Sequence, residues 1–112
     1  MTFKVKKNTL GSTVKYIDCA EVKSESVYNK MGELEVRFVN VCELTRDVTL
    51  EVRNTLGETD VYVPADWNVR VNMVNALGDI HVDEAFKVNR ADESTLIIKA
   101  NNKLGEINIK AI

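Results

Sequence analysis

The sequence predicts an all-β, single-domain β-solenoid of the right-handed β-helix type, with about five coils. Three observations predict it. All five glycines of the chain fall in one tetrapeptide, Asn-x-(Leu/Met)-Gly, repeated at 21- to 27-residue intervals. Alternating apolar and polar residues follow most of those glycines, the signature of a strand that buries one face. Helical periodicity is nearly absent, with Asp83 to Asp92 the only stretch suited to a short helical turn. An antiparallel β-sandwich, with the same motif at successive hairpin turns, is the alternative.

The repeats occupy 8–11, 29–32, 54–57, 75–78 and 102–105 of one domain spanning 1–112. Gly11 leads less regularly into Val14, Tyr16 and Ile17, whereas Gly32 opens Glu33-Leu-Glu-Val-Arg-Phe38 with every second residue apolar. Gly57 opens Glu58-Thr-Asp-Val-Tyr-Val63, Gly78 opens Asp79-Ile-His-Val82 and Gly105 opens Glu106-Ile-Asn-Ile109. A second strand precedes the later motifs: Val48 to Arg53, Val69 to Met73 and Thr95 to Lys99. Each repeat therefore reads strand, turn, strand, turn.

Glycine suits a turn residue with positive φ, and asparagine tolerates or flanks such turns. The Leu or Met between them is expected to point inward and fill a corner of the core. In stacked coils Asn8, Asn29, Asn54, Asn75 and Asn102 would fall in register, their amides bonding one another or the neighbouring backbone. Solenoid ends need protection from edge pairing, and Lys4, Lys6 and Lys7 in the first coil and Lys110 in the last suit that role.

With 45% hydrophobic and 29% charged residues, the composition is that of an ordinary globular domain. A net charge of −2 with scattered lysines and arginines excludes a nucleic-acid footprint. No apolar run approaches a bilayer span, so this segment is not expected to insert in a membrane. The chain reads as soluble by itself, membrane-associated if it belongs to a longer parent and cytoplasmic otherwise.

Pro64-Ala65-Asp66-Trp67 is the candidate partner-contact corner. Proline ends strand pairing, and an exposed tryptophan would anchor a partner. Burial is the commoner fate of tryptophan, with Trp67 then covering the solenoid's side and Asp66 capping the turn. Asp60, Asp66, Asp79 and Asp83 are too dispersed for a catalytic acid pair. No enzyme activity, cofactor or metal is expected: Cys19 and Cys42 form no Cys-x-x-Cys pair, and His81 lacks a sequence neighbour for zinc. The two cysteines, 23 residues apart, suit neighbouring coils as reduced, buried thiols. Alternation points His81 outward.

The segment from Asn54 to Val82, with Val63-Pro-Ala-Asp-Trp-Asn-Val69 at its centre, resembles the C-terminal domain of LiaF/VraT-type cell-wall-active antibiotic response proteins. Their wider relatives are toast-rack, adhesin-like β domains. The family pattern places phenylalanine before the turn glycine, where this chain has Leu56 and Leu77, and precedes the domain with a membrane-spanning region. The resemblance implies a regulatory domain of bacterial envelope stress that contacts a protein partner such as a membrane sensor kinase. Two further functions compete with it: a self-associating scaffold of the bactofilin kind, and an adhesin-like binding module.

Overall fold

The computed structural model describes residues 4–8, 11–40, 43–87 and 93–112, with backbone alone for 4–8 and for Cys19. Ten strands run β1 (Lys4–Asn8), β2 (Ser12–Asp18), β3 (Glu25–Asn29), β4 (Glu33–Val39), β5 (Val48–Asn54), β6 (Glu58–Val63), β7 (Asn68–Asn75), β8 (Asp79–Val82), β9 (Thr95–Asn102) and β10 (Glu106–Ala111). Two 3-10 turns, Cys19–Glu21 and Glu84–Phe86, sit in the longer connections. The second falls inside the stretch expected to hold a helical turn.

Each repeat contributes one strand to each of two sheets, in the order β1-β3-β5-β9-β7 and β2-β4-β6-β10-β8. Every strand pairing is parallel. Hairpins make antiparallel neighbours, so the antiparallel sandwich is excluded and the arrangement is solenoid-like. The coils do not stack in chain order. Counting a coil as an odd strand and the even strand after it, the fifth coil lies between the third and the fourth, in both sheets.

The inward residues of the two sheets meet as one core. Val36, Val52, Val61, Val63, Leu96, Ile98 and Ile107 are fully buried. Strands paired on both sides bury one face completely, and β4, β5 and β6 alternate between buried and half-exposed or exposed residues along their lengths.

At the motif corner the asparagines form the expected ladder, in stacking order rather than chain order. Asn29 Nδ2 donates to Asn54 Oδ1 (2.8 Å), Asn54 Nδ2 to Asn102 Oδ1 (2.9 Å) and Asn102 Nδ2 to Asn75 Oδ1 (2.9 Å). Each of these amides also closes its own turn by donating to the motif glycine's carbonyl, at 2.6–3.1 Å. Asn29, Asn54 and Asn102 are buried, and among the described residues no buried side-chain nitrogen or oxygen lacks a partner. Asn8 is paired in register with Asn29 along β1 and β3; its side chain lies outside what is described.

Positive φ explains the glycine only at Gly11 (93°) and Gly32 (101°). At Gly57, Gly105 and Gly78 the reason is close approach. A Cβ there would land on the carbonyl oxygen of the glycine in the adjacent coil and crowd its asparagine amide.

Two expectations are corrected. The Leu or Met of the motif does not fill the core: Met31, Leu56, Leu77 and Leu104 all project into solvent. The tight Asn-to-Gly corner keeps the asparagine inside as the hydrogen-bonding group, which turns the intervening side chains outward. Lys110 protects no end, because β10 is an interior strand between β6 and β8; its ammonium lies 3.9 Å from Asp60 and 5.4 Å from the Tyr62 ring. Lys4, Lys6 and Lys7 do lie on an edge strand, β1. Cys42 and the Cys19 side chain fall outside the described residues.

Asn102→Ala removes the two N–H donors shared among Asn75 Oδ1, Gly105 O and Asp79 O, and the acceptor for Asn54 Nδ2, from the middle of the ladder, so it should lower the unfolding free energy by about 3 kcal/mol. Asn75→Ala, at the exposed end, should cost under about 1 kcal/mol. Urea titrations of both variants decide the matter, and equal losses would show that the column gains nothing from its buried centre.

Candidate binding surfaces

The Pro64–Trp67 corner joins β6 to β7. Val63 ends its strand, Pro64 is buried, and the Trp67 amide donates to the Pro64 carbonyl at 3.1 Å to close a tight turn. Trp67 is only 4% exposed and packs edge-on against Phe38, ring centroids 5.2 Å apart. A ring held in this way belongs to the core, so only Ala65 and Asp66 of the corner reach solvent.

The motif corner presents a different surface. Backbone bonds from Leu56 N to Lys30 O, Leu104 N to Thr55 O and Leu77 N to Lys103 O hold successive turns in register. This stacks Met31, Leu56, Leu104 and Leu77 in one column, exposed by 42, 49, 54 and 80%. Neighbouring coils are about 4.8 Å apart, so the four side chains form a continuous apolar ridge. Lys30 and Lys103, both exposed, flank it. Isolated exposed leucines are normal, whereas a contiguous row with a charged margin is characteristic of contact sites.

The outer face of the second sheet is acidic. Pairing places Glu33, Glu58, Glu106 and Asp79 in one column, and Glu35, Asp60, Asn108 and His81 in the next. Like charges directly opposite on neighbouring strands repel. Asn108 relieves part of this by donating to Asp60 Oδ1 (2.8 Å) and Glu106 Oε2 (3.1 Å). The Asp60 and Glu106 carboxylates beside Glu58 push its carboxyl up to about 7, while hydrogen bonds from Asn108 and Glu58 hold Glu106 below the usual glutamate range. A third column, Arg37, Tyr62 and Lys110, borders the acids, with the Arg37 guanidinium 4.1 Å from the Tyr62 ring centroid.

At the margin of this face Asp79, His81 and Glu106 each offer one ligand atom within 4.8 Å of the others. His81 Nε2 lies 3.5 Å from Glu106 Oε1. Asp79 and His81 lie on β8 and Glu106 on β10, 25 to 27 residues further along the chain, and the parallel register of these two strands brings them together. All three are partly or fully exposed, beside the open edge of β8. His81 points outward, as alternation predicts. Asp83 lies apart from this group, capping the 3-10 turn by accepting from the Ala85 amide (3.0 Å), and this bond, with one from Ala111, keeps its carboxyl below the usual range. On the outer face of the other sheet a shallow groove of about 310 Å³ runs between Glu51, Arg53, Asn72, Val74, Lys99 and Asn101.

The fold is a two-sheet, all-parallel β-repeat that a solved structure shares. The crystal structure of a putative cell adhesion protein from Clostridium sporogenes superposes on 96% of this chain, with a TM-score of 0.70 and 17% sequence identity. This chain spans 55% of that protein's length. No protein-family model matches the sequence, and no curated protein matches it. Among the described residues no helix is long and apolar enough to cross a membrane.

Glu58 gives the acidic face a pH signature. Its carboxyl moves from an ordinary 4.5 to about 7 in the fold, so the stability it contributes is complete below pH 4.5 and is lost as pH rises to 7. Glu106 runs the other way: its contribution is present above 4.5 and lost only on further acidification. The thermal midpoint should therefore fall between pH 4.5 and 7, and Glu58→Gln should flatten that slope. Calorimetry of both proteins across this range is the check, and an unchanged slope in the variant would remove Glu58 as its source.

Proposed function

We propose that this domain is a non-enzymatic, adhesin-like binding module that acts by surface contact with a protein partner. The observation that carries the reading is the apolar ridge of Met31, Leu56, Leu104 and Leu77. These side chains contribute little to the core, yet the repeat places a large apolar residue at each position, with lysines alongside. Such a strip favours a partner with an apolar groove and an acidic rim. Likeness to a cell adhesion protein supports the fold class in which such a module is built. The envelope-stress reading, with a sensor kinase as partner, rests on the resemblance between Asn54 and Val82 alone. It shares the contact mechanism and differs in the partner.

The test is binding of the fluorescently labelled domain to intact cells and isolated envelopes of the producing organism. Leu56→Glu with Leu104→Glu should reduce binding at least tenfold, the effect of losing about 1.4 kcal/mol at a contact. The circular dichroism spectrum and thermal midpoint should stay near those of the parent, because neither side chain is buried. Undiminished binding by this variant would remove the ridge as the contact surface. Binding confined to membranes that carry a sensor kinase, and lost on its deletion, would favour the regulatory partner.

A further inference from the structure

The two ends of the stack differ in chemistry. At the first-coil end, Lys15 reaches across to Glu25 of the second coil (3.2 Å), both side chains largely buried. Edge strand β1 carries Lys4, Lys6 and Lys7, and its register sets Lys4 opposite Glu25 and Lys6 opposite Val27. Lysines on an edge strand are a common device against pairing with another chain.

Among the described residues the fourth-coil end carries no such device. Its edge strand β7 spans eight residues with one charge, Arg70, and no proline. Val71 and Met73 continue the columns of Ile98 and Ala100, which are buried. On β8, Ile80 and Val82 likewise continue the columns of Ile107 and Ile109. Val71, Ile80 and Val82 are only partly buried against the core, and Met73 is 55% exposed. Among the described residues, no strand pairs with the outer edge of β7 or of β8.

We propose that this end is a homodimer interface, on which a second copy of the chain stacks its own fourth coil about a two-fold axis. A two-fold across the end face reverses strand direction, so the open edges can pair antiparallel. It also sets Val71, Met73, Ile80 and Val82 against the same apolar residues of the other copy. Head-to-tail stacking would instead set the lysine-bearing β1 over Val71 and Met73, burying cations against apolar side chains. The two-fold contact is isologous and closes at two molecules.

The size of the face suffices. Five strands at about 4.8 Å make a stack about 20 Å deep between strand centres, in keeping with the shorter of the 36 × 26 × 25 Å dimensions. An elliptical end on the remaining two axes covers about 700 Å² per copy, or about 1,400 Å² in total, within the range of stable interfaces.

Sedimentation equilibrium of the chain from about 1 µM to about 500 µM, a range that spans common affinities, tests this. The expected result is a mass that reaches twice 12.6 kDa and stops there. Met73→Glu should remain a monomer with an unchanged circular dichroism spectrum. Should that variant fail to fold, amide exchange of the parent decides: β7 and β8 amides should become more protected as concentration rises, and β1 amides should not. A parent that stays monomeric with concentration-independent exchange, a mass that climbs without a plateau, or a folded Met73→Glu that still dimerises would each overturn the proposal.

Discussion

The glycine carbonyl at each motif corner occupies the place where a side chain on the adjacent coil's glycine would have to go. That contact sets the rise from coil to coil at the corner, and the asparagine three residues earlier fixes it by bonding both its own turn and the next rung. Two sheets then leave the same corner with one register, because Asn54 ends β5 and Gly57 precedes β6. The alignment of the core columns, the acidic columns and the outer ridge all follows from it. Replacing the glycine fills the space of a neighbouring backbone atom, which no side-chain rotation can vacate.

This division of labour explains why polar residues lie at the centre and apolar ones outside at the motif. Asn29, Asn54 and Asn102 can be buried because each amide finds donors and acceptors at fixed spacing. The intervening residues Met31, Leu56 and Leu104 then have only the solvent side available. The corner is thus an inverted piece of the usual inside-outside pattern, and it leaves the molecule with a surface that its own fold does not use.

Much of this was legible in the sequence. Period-two alternation after Gly32, Gly57, Gly78 and Gly105 identifies β4, β6, β8 and β10, and the shared tetrapeptide identifies their common turn. The asparagine register follows from the same spacing. The inward assignment of the leucines fails because hydrophobicity alone says nothing about which residue of a tight turn has room to face the core. The order of coils was not legible either: repeats of one chemistry can exchange places, and nothing local distinguishes a fifth coil inserted between the third and the fourth from one added beyond the fourth. The trio Asp79, His81 and Glu106 needs the register between β8 and β10, which the repeat spacing alone does not fix. Burial is the better reading of Trp67 from sequence, and the ring that receives it, Phe38, lies 29 positions away in the chain.

The displaced fifth coil also has a consequence for synthesis. A ribosome delivers the chain from the first coil onward, and a solenoid stacked in that order can add each coil as it emerges. Here the third coil's free face is reserved for residues 95–111, the last strands to appear. Until then residues 68–82 have no correct neighbour, although the exposed edge of the third coil offers the same glycine and asparagine chemistry as the fifth. Docking the fourth coil there would give a well-bonded but wrong stack that must open before the fifth can enter. The repeat that makes the finished molecule regular therefore also makes a premature arrangement competitive, and the nascent chain must either hold the fourth coil off or undo it.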